Sequence, residues 1–173
     1  MKSLKKNKDS SLALAIINVD DFKLYNQLYG IKEGDVCLQH IAAIIRSSVG
    51  DSGYIARYGG KEFAVLLPKY DLFSARNLVE SIAKQIFVMN NRRTDMKLKA
   101  VTVSAGISAA PYAARNVKEL MENVDLAVYH VKHSGKNGIQ VFDTMLPQYE
   151  PAGVYQRPCT VIYREYSKRR FMH

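Results

Sequence analysis

The residues with the clearest potential for chemistry lie in the segment from Tyr54 to Pro68. Two apolar runs flank a Gly59-Gly60 pair, which predicts a β-hairpin whose turn uses positive φ angles. A cation, Lys61, and a carboxylate, Glu62, directly follow the turn. Because glycine lets the backbone approach a ligand closely, a charged pair beside such a turn suits phosphate or metal chemistry. The alternative is a solvated ion pair on an exposed turn.

The composition describes a basic globular domain. The chain has 173 residues, 47% hydrophobic and 24% charged, which suits one domain with its own core. Its formal net charge of +9 predicts a polyanionic partner, such as nucleic acid, an anionic membrane surface or a nucleotide with several phosphates, although solubility alone also explains it. No strong nucleic-acid motif, transmembrane segment or signal peptide is evident, and Cys37 and Cys159 form no metal-ligand spacing. We expect a cytoplasmic protein, or the cytoplasmic part of a larger one.

Hydrophobic periodicity predicts the elements that position the hairpin. Leu12 to Ile17 is an apolar run typical of a buried strand, and Asp20 or Asp21 can cap the helix that begins near Phe22. That helix breaks at Gly30, and a second helix follows. Later elements are a helix from Leu72 to about Met89, a strand from Lys97 to Ser108, a helix from Leu120 to Lys132 and a strand from Gly138 to Phe142. The order β-α-α-β-β-α-β-α-β predicts an α/β fold of the α+β sandwich type, with a mixed, largely antiparallel five-stranded sheet flanked by helices.

Three segments of different character divide the chain. Residues 1–11 form a basic lead, residues 12–143 carry the predicted elements, and residues 144–173 form a basic tail rich in proline and tyrosine. The tail is expected to be a linker, a partly disordered end or an added strand at Thr160 to Tyr166. Its cations and aromatics also leave open contact with nucleic acid, membrane or a partner domain, through Arg164, Lys168, Arg169, Arg170, Tyr163 and Tyr166.

Several motifs around the hairpin occur in the order and spacing of one protein family. They are Asn18 to Asn26, Gly30 to Asp35, Val101 to Ser108 and Asp125 to Asn137. Together with the hairpin they resemble the GGDEF family of diguanylate cyclases over roughly Leu12 to Phe142. The resemblance implies a nucleotidyl-cyclase, polymerase-palm-like fold. It also implies an enzyme that joins two GTP molecules into cyclic di-GMP, each GTP held by one subunit of a facing dimer.

The resemblance implies metal positions that are altered here. In the family, a leading Asp on the first strand and an acidic third residue of the hairpin motif hold Mg²⁺. By motif register these positions fall on Asn18 and Lys61, with the Val19 carbonyl as a further ligand. Two anions are lost and one cation is gained, so we expect no dedicated metal site. The degenerate catalytic motif is then Gly59, Gly60, Lys61 and Glu62.

The positions that hold the nucleotide in the family are better kept. Asn26 and Asp35 match its guanine contacts, because an amide and a carboxylate can read the donors and acceptors of the base. The phosphate contacts implied by the resemblance are Phe22 and Lys23 at the helix start and the cations Lys132 and Lys136. Lysine stands at 136 where the family has arginine, which keeps the charge but loses the bidentate geometry. The family's inhibitory Arg-x-x-Asp pair falls on Gly50 and Gly53, so no inhibitory site is expected.

Three functions remain open from the sequence. The first is a catalytically impaired domain that binds GTP or another guanine nucleotide as a regulatory module of cyclic di-GMP signalling, with Lys61 neutralising the triphosphate and no cofactor. It would act as a homodimer or with a partner signalling domain. The second is an active diguanylate cyclase with an atypical Mg²⁺ set of Glu62, Asp20 and the Val19 carbonyl. The third is a non-catalytic interaction module that uses the basic tail.

Overall fold

The computed structural model describes residues 10–91 and 101–142. The elements are β1 Leu12–Val19, α1 Phe22–Tyr29, α2 Ile31–Val49, a 3₁₀ helix Gly50–Ser52, β2 Tyr54–Arg57, β3 Glu62–Pro68, α3 Leu72–Asn91, β4 Val103–Ala110, α4 Val117–His133 and β5 Gly138–Val141. The expected element order and fold class are confirmed. The basic tail with its candidate strand at Thr160 to Tyr166 lies outside the described residues, as does the expected strand start at Lys97.

A five-stranded sheet in the order β2-β3-β1-β4-β5 forms the centre of the domain. The middle strand β1 pairs antiparallel with both β3 and β4, while β4 and β5 are parallel and are connected through α4. Asn18 lies opposite Glu62 on one neighbouring strand and opposite Ser104 on the other. The end of β1 therefore brings residues from three strands to one place.

The alternation of side chains along β1 distributes them between two apolar layers. Ala13, Ala15, Ile17 and Val19 pack in the cluster that contains the buried residues of α1, α2 and α3. Leu14 and Ile16 pack with Leu120, Val124 and Val128 of α4. Because alternate residues of a strand share a face, Asn18 lies on the α4 face of the sheet. This arrangement explains why β1 has hardly any exposed position.

Gly106 of β4 lets α4 lie very close to the sheet. A Cβ atom built on Gly106 would meet the Val124 carbonyl oxygen at 2.4 Å and the Val128 amide nitrogen at 2.7 Å. These neighbours are helix backbone and cannot turn away as a flexible side chain could. The glycine therefore fixes the distance between α4 and the strands that carry the site.

The hairpin turn differs from the expected one. Neither Gly59 nor Gly60 is among the residues with positive φ, so that prediction is wrong. The connection spans the four residues between Arg57 and Glu62, and the Tyr58 and Gly59 N–H groups both donate to the Glu62 carbonyl, over 2.8 and 3.2 Å. A two-residue turn needs positive φ to match the strand twist, whereas this wider loop does not.

Two further local features concern the helices. Helix α4 begins three residues before the expected start at Leu120, because the Asn116 side chain caps it by accepting from the Glu119 N–H over 2.9 Å.

In the part of the chain that the structure covers, no helix has both the length and the apolar character needed to cross a membrane.

Candidate functional site

Backbone hydrogen bonds fix the end of β1 between the hairpin and β4. The Val19 N–H donates to the Lys61 carbonyl over 3.0 Å, and the Asp20 N–H donates to the Thr102 carbonyl over 2.9 Å. The chain then enters α1 at Phe22. As a result, the hairpin loop and Thr102 lie on either side of the short segment that leads into α1.

Asp20 is the most densely bonded side chain of this region. Its Oδ1 accepts from the Ser104 hydroxyl over 2.7 Å and from the Lys132 ammonium over 2.5 Å. Its Oδ2 accepts from the Thr102 hydroxyl over 2.8 Å and from the Asn137 N–H over 3.0 Å. A carboxylate offers about four lone-pair sites, so all of them are used. Both oxygens of Asp20 are therefore engaged by protein donors, which Mg²⁺ would have to displace in the atypical ligand set considered above.

The charge of Asp20 is stable despite its burial. Burial alone raises the pKa of this carboxyl, but the hydrogen bonds from Lys132, Ser104 and Thr102 outweigh that effect and hold the pKa below its ordinary value. Only 5% of the residue is exposed. Asp20 is therefore a buried anion at neutral pH, a role that the sequence interpretation missed because its donors come from distant parts of the chain.

Asp21 does not cap α1, and neither does Asp20, so the capping prediction is wrong. Asp21 occupies the N-cap position with a left-handed backbone, φ 50°, and makes no side-chain cap hydrogen bond. Its Oδ1 instead accepts from the Lys136 ammonium over 2.5 Å. The first N–H groups of α1 are therefore left without a carboxylate cap, as an anion-binding helix start requires.

Four lysines line one pocket of about 420 Å³ at this place. They are Lys23, Lys61, Lys132 and Lys136, and Asp21, Leu24 and Gln27 complete the lining. Lys132 and Lys136 are paired with aspartates, whereas Lys23 and Lys61 make no ion pair with any described residue. Lys23 and Lys61 thus supply the uncompensated positive charge of the pocket.

The residues at the expected metal positions do not suit Mg²⁺. Asn18 is 7% exposed, and its Nδ2 donates to Glu62 Oε1 over 2.6 Å. Its Oδ1 is buried and accepts no hydrogen bond from a described residue, but one neutral amide oxygen is a poor substitute for two carboxylates. Over residues 10–91 and 101–142, no three or more acidic, histidine or cysteine side chains are arranged to hold a metal.

Asp125 joins this cluster from α4, and sequence reasoning did not single it out. Burial, together with the negative charge of Glu62, raises its pKa to about 6. The sequence contained it only as part of a matched motif. Because its neighbour Glu62 lies on a strand more than sixty residues earlier, no local pattern could reveal the pair.

The two expected guanine contacts line different pockets. Asn26 shares one with Phe22, Lys23, Gly60, Lys61 and Glu62. Its Oδ1 is buried and accepts no hydrogen bond from residues 10–91 or 101–142; it lies against Gly34, where a Cβ would come within 1.8 Å of it. Asp35 lines a neighbouring groove with Arg46 and Arg57. The structure thus places Asn26, but not Asp35, beside the lysines.

The predicted inhibitory positions are occupied by glycines with a local structural role. Gly53 lies where a Cβ would meet the Leu66 carbonyl at 2.4 Å, so the approach of the chain to β3 requires a glycine there. Gly50 has a positive φ of 51° at the end of α2. The close backbone approach at Gly53 and the positive φ at Gly50 therefore account for glycine at these two positions.

Comparisons with known proteins place this geometry in a family. The family model for the diguanylate cyclase GGDEF domain matches residues 1–138. The chain belongs to the GGDEF domain family. This GGDEF domain is 32% identical to diguanylate cyclase A of Treponema denticola over 141 residues, 82% of this chain and 38% of that protein. It is 34% identical to the bifunctional diguanylate cyclase/cyclic di-GMP phosphodiesterase MucR of Pseudomonas aeruginosa over 139 residues, 80% of this chain and 20% of that protein.

Solved structures agree with the assignment. The GGDEF domain superposes on the active GGEEF domain of a diguanylate cyclase from Vibrio cholerae with a TM-score of 0.71 and 25% identity, covering 78% of this chain and 84% of that one. For the GGDEF domain of DgcB from Caulobacter crescentus in complex with c-di-GMP, the TM-score is 0.68 at 28% identity, with 76% and 77% covered. The chain spans less than half the length of the two curated relatives named above.

Proposed function

We propose that this GGDEF domain binds GTP or another guanine nucleotide without Mg²⁺ and acts as a regulatory module in cyclic di-GMP signalling, with little or no synthesis of cyclic di-GMP. The observation that carries the proposal is the position of Lys61. Its side chain lines the lysine pocket and makes no ion pair with a described residue, where the family has a metal-binding carboxylate.

The charge difference from the family pattern supports binding without a metal. Asn18 removes one negative charge, and Lys61 removes another and adds one positive charge, so the site is three charges more positive. A bound Mg²⁺ would contribute two. The substitutions therefore replace the electrostatic contribution of the ion to triphosphate binding. The substitutions do not replace the contribution of Mg²⁺ to activating a hydroxyl nucleophile, because a lysine ammonium cannot coordinate the hydroxyl oxygen as a metal ion does.

The remaining contacts are complementary to a nucleotide. The uncapped N–H groups at Phe22 and Lys23 favour a phosphate oxygen, and the dipole of α1 adds to this attraction. Asn26 lines the pocket that Lys23 and Lys61 also line, and an amide side chain can pair with the donors and acceptors of a guanine edge. Glu62 stays bound to Asn18, so it contributes to the hairpin and not to a metal.

A regulatory role fits what is known of two similar proteins. MucR is described as bifunctional, and the diguanylate cyclase SiaD has been solved in complex with its activator SiaC. We propose a domain of residues 12–143 that acts in the cytoplasm, as a homodimer or with a partner signalling domain. Binding of the nucleotide would then change the contacts between this domain and that partner.

Calorimetric titration of GTP in EDTA and in Mg²⁺ tests the proposal, with ATP as the control for the base. We expect GTP binding in EDTA that is at least as tight as in Mg²⁺, weaker binding of ATP, and no cyclic di-GMP by chromatography after incubation. Absence of GTP binding under both conditions overturns the binding function. Accumulation of cyclic di-GMP would instead establish an active cyclase with atypical ligands.

A further inference from the structure

Asp20 and Asp21 are adjacent, and each binds one lysine of the pocket, yet the two ion pairs are physically different. In the Asp20–Lys132 pair the side chains are 2% and 20% exposed. In the Asp21–Lys136 pair they are 57% and 42% exposed. The Asp20 carboxylate accepts hydrogen bonds from four donors. The Asp21 carboxylate accepts one from Lys136. One pair is thus a buried network and the other a surface contact.

We propose that Asp20 is the positioning residue of the phosphate site and that Asp21 is an internal competitor for it. This inference rests on the proposed function, in which phosphates occupy the lysine pocket. It assigns opposite effects to two neighbouring aspartates. Removal of the Asp20 charge weakens phosphate binding, and removal of the Asp21 charge strengthens it.

The bonds of Asp20 show how it positions both paired lysines. A lysine ammonium has three donors, so Lys132 can bind Asp20 with one and keep the others for a phosphate. The bond from the Asn137 N–H holds the turn after α4, in which Lys136 and Asn137 have left-handed φ angles of 64° and 48°. Non-glycine residues in this conformation need support from their surroundings. Asp20 gives that support and so fixes the origin of the Lys136 side chain.

The Asp21 carboxylate accepts the hydrogen bond from Lys136 that a phosphate oxygen of the ligand would otherwise accept. Its hydrogen bond and its charge raise the pKa of Lys136, so the ammonium stays charged while its contact is taken by a protein carboxylate. A phosphate must displace this carboxylate or approach alongside it. Because the pair is exposed, displacement costs little, but the negative charge of Asp21 still opposes an anion in the same pocket.

The two substitutions Asp20→Asn and Asp21→Asn, made in the chain of 173 residues, separate these roles. With inorganic tripolyphosphate and GTP as probes, Asp20→Asn is expected to weaken binding by at least about tenfold, since an amide donor then faces the Lys132 ammonium. Asp21→Asn is expected to strengthen binding by about two- to fivefold, an effect that shrinks with added salt. Guanosine affinity should stay the same in both variants, which a general structural defect would not allow.

A measurement without nucleotide distinguishes failure of this inference from failure of the proposed function. By NMR, the Lys132 ammonium protons are expected to be protected from solvent exchange and those of Lys136 not, and Asp21→Asn should lower the pKa of Lys136. If the chain binds neither GTP nor tripolyphosphate, the proposed function fails while this test still stands. If the Asp20→Asn variant does not fold, the unaltered chain still gives a test. Rapid solvent exchange of its Lys132 ammonium protons overturns the positioning role. Unchanged or weaker tripolyphosphate binding by Asp21→Asn overturns the competitor role.

Discussion

Asn18 donates its side-chain amide to Oε1 of Glu62 over 2.6 Å, across the pairing of β1 with β3. Where the family pattern brings carboxylates together around a cation, this chain closes the gap between the strands with a hydrogen bond of its own. A hydrogen bond to a charged acceptor is about twice as strong as one between neutral groups. The end of β1 is therefore held together without an ion.

The substitution Asn18→Asp is expected to destabilise the domain at pH 7 by about 1–3 kcal/mol, because it replaces a buried donor with a second negative charge. Urea unfolding at pH 7 measures this loss, and added Mg²⁺ should not restore it while Lys61 is present. The control is Asn77→Asp, at an exposed position of α3, where a surface substitution is expected to change the stability by less than about 0.5 kcal/mol. Equal stability of both variants would show that the Asn18 contact is not formed.

Lys61→Met is expected to weaken GTP binding in EDTA by about 3- to 30-fold, the effect of removing one unpaired charge from a partly screened site. Titration calorimetry measures the change, and Lys84→Met on the exposed face of α3 is the matched control. Combining Lys61→Asp with Asn18→Asp should make the remaining binding depend on Mg²⁺. Mg²⁺-independent binding of that double variant would contradict the charge-replacement argument.

The carboxyl of Asp125 has a pKa raised to about 6, from an ordinary value of 3.8. A raised carboxyl pKa means that the folded chain binds the proton more tightly, so stability falls as pH rises from about 4 to about 6. Asp125→Asn removes this penalty and is expected to stabilise the domain by about 1–3 kcal/mol at pH 7, with little effect at pH 3.5. Thermal unfolding across this pH range measures it.

Two comparisons sharpen the Asp125 prediction. Because the Glu62 charge contributes to the shift, Glu62→Gln should lower the pKa of Asp125, as read by NMR titration of its carboxyl. Asp51→Asn, at an exposed position of the 3₁₀ helix, should leave the stability at pH 7 within about 0.5 kcal/mol. A pH profile that Asp125→Asn leaves unchanged would show that the carboxyl is solvated.

Gly106→Ala is expected to destabilise the domain by about 1–3 kcal/mol, because its Cβ would overlap the backbone of α4 at 2.4 Å. Gly60→Ala is the control, since a Cβ there meets nothing within 4 Å and the residue has no positive φ. Its stability should change by less than about 1 kcal/mol. Denaturant unfolding of both variants gives the comparison.

The sequence predicted the fold well because the signals were local. The apolar run of β1 and the break at Gly30 depend on neighbouring residues, and both match the observed elements. The hairpin also formed where expected, but its turn type was wrong, because the loop is wider than the Gly-Gly pair. Whether such a loop needs positive φ depends on strand register, which adjacent residues do not encode.

The site was predictable only in part, for the opposite reason. The family motifs identified the lysines of the pocket and the altered positions 18 and 61. The roles of Asp20 and Asp125 could not be found, because both depend on partners brought close by the sheet and by α4. Asp21, just before α1, is a residue type that commonly caps helices. Its carboxylate instead binds Lys136, more than one hundred residues away in the chain. Long-range contacts replaced the local preference.

The position of Asp20 at the end of the central strand has a consequence for how the site arises. Its side-chain donors come from residues 82 to 112 positions later in the sequence, and the Asn137 N–H comes 117 positions later. The first half of the chain, even with the complete Gly-Gly-Lys-Glu-Phe motif, therefore lacks the partners of Asp20. The proposed phosphate site would form only when α4 and the turn before β5 have docked. Any ligand that binds there stabilises the whole domain, and its binding reports the global folding equilibrium.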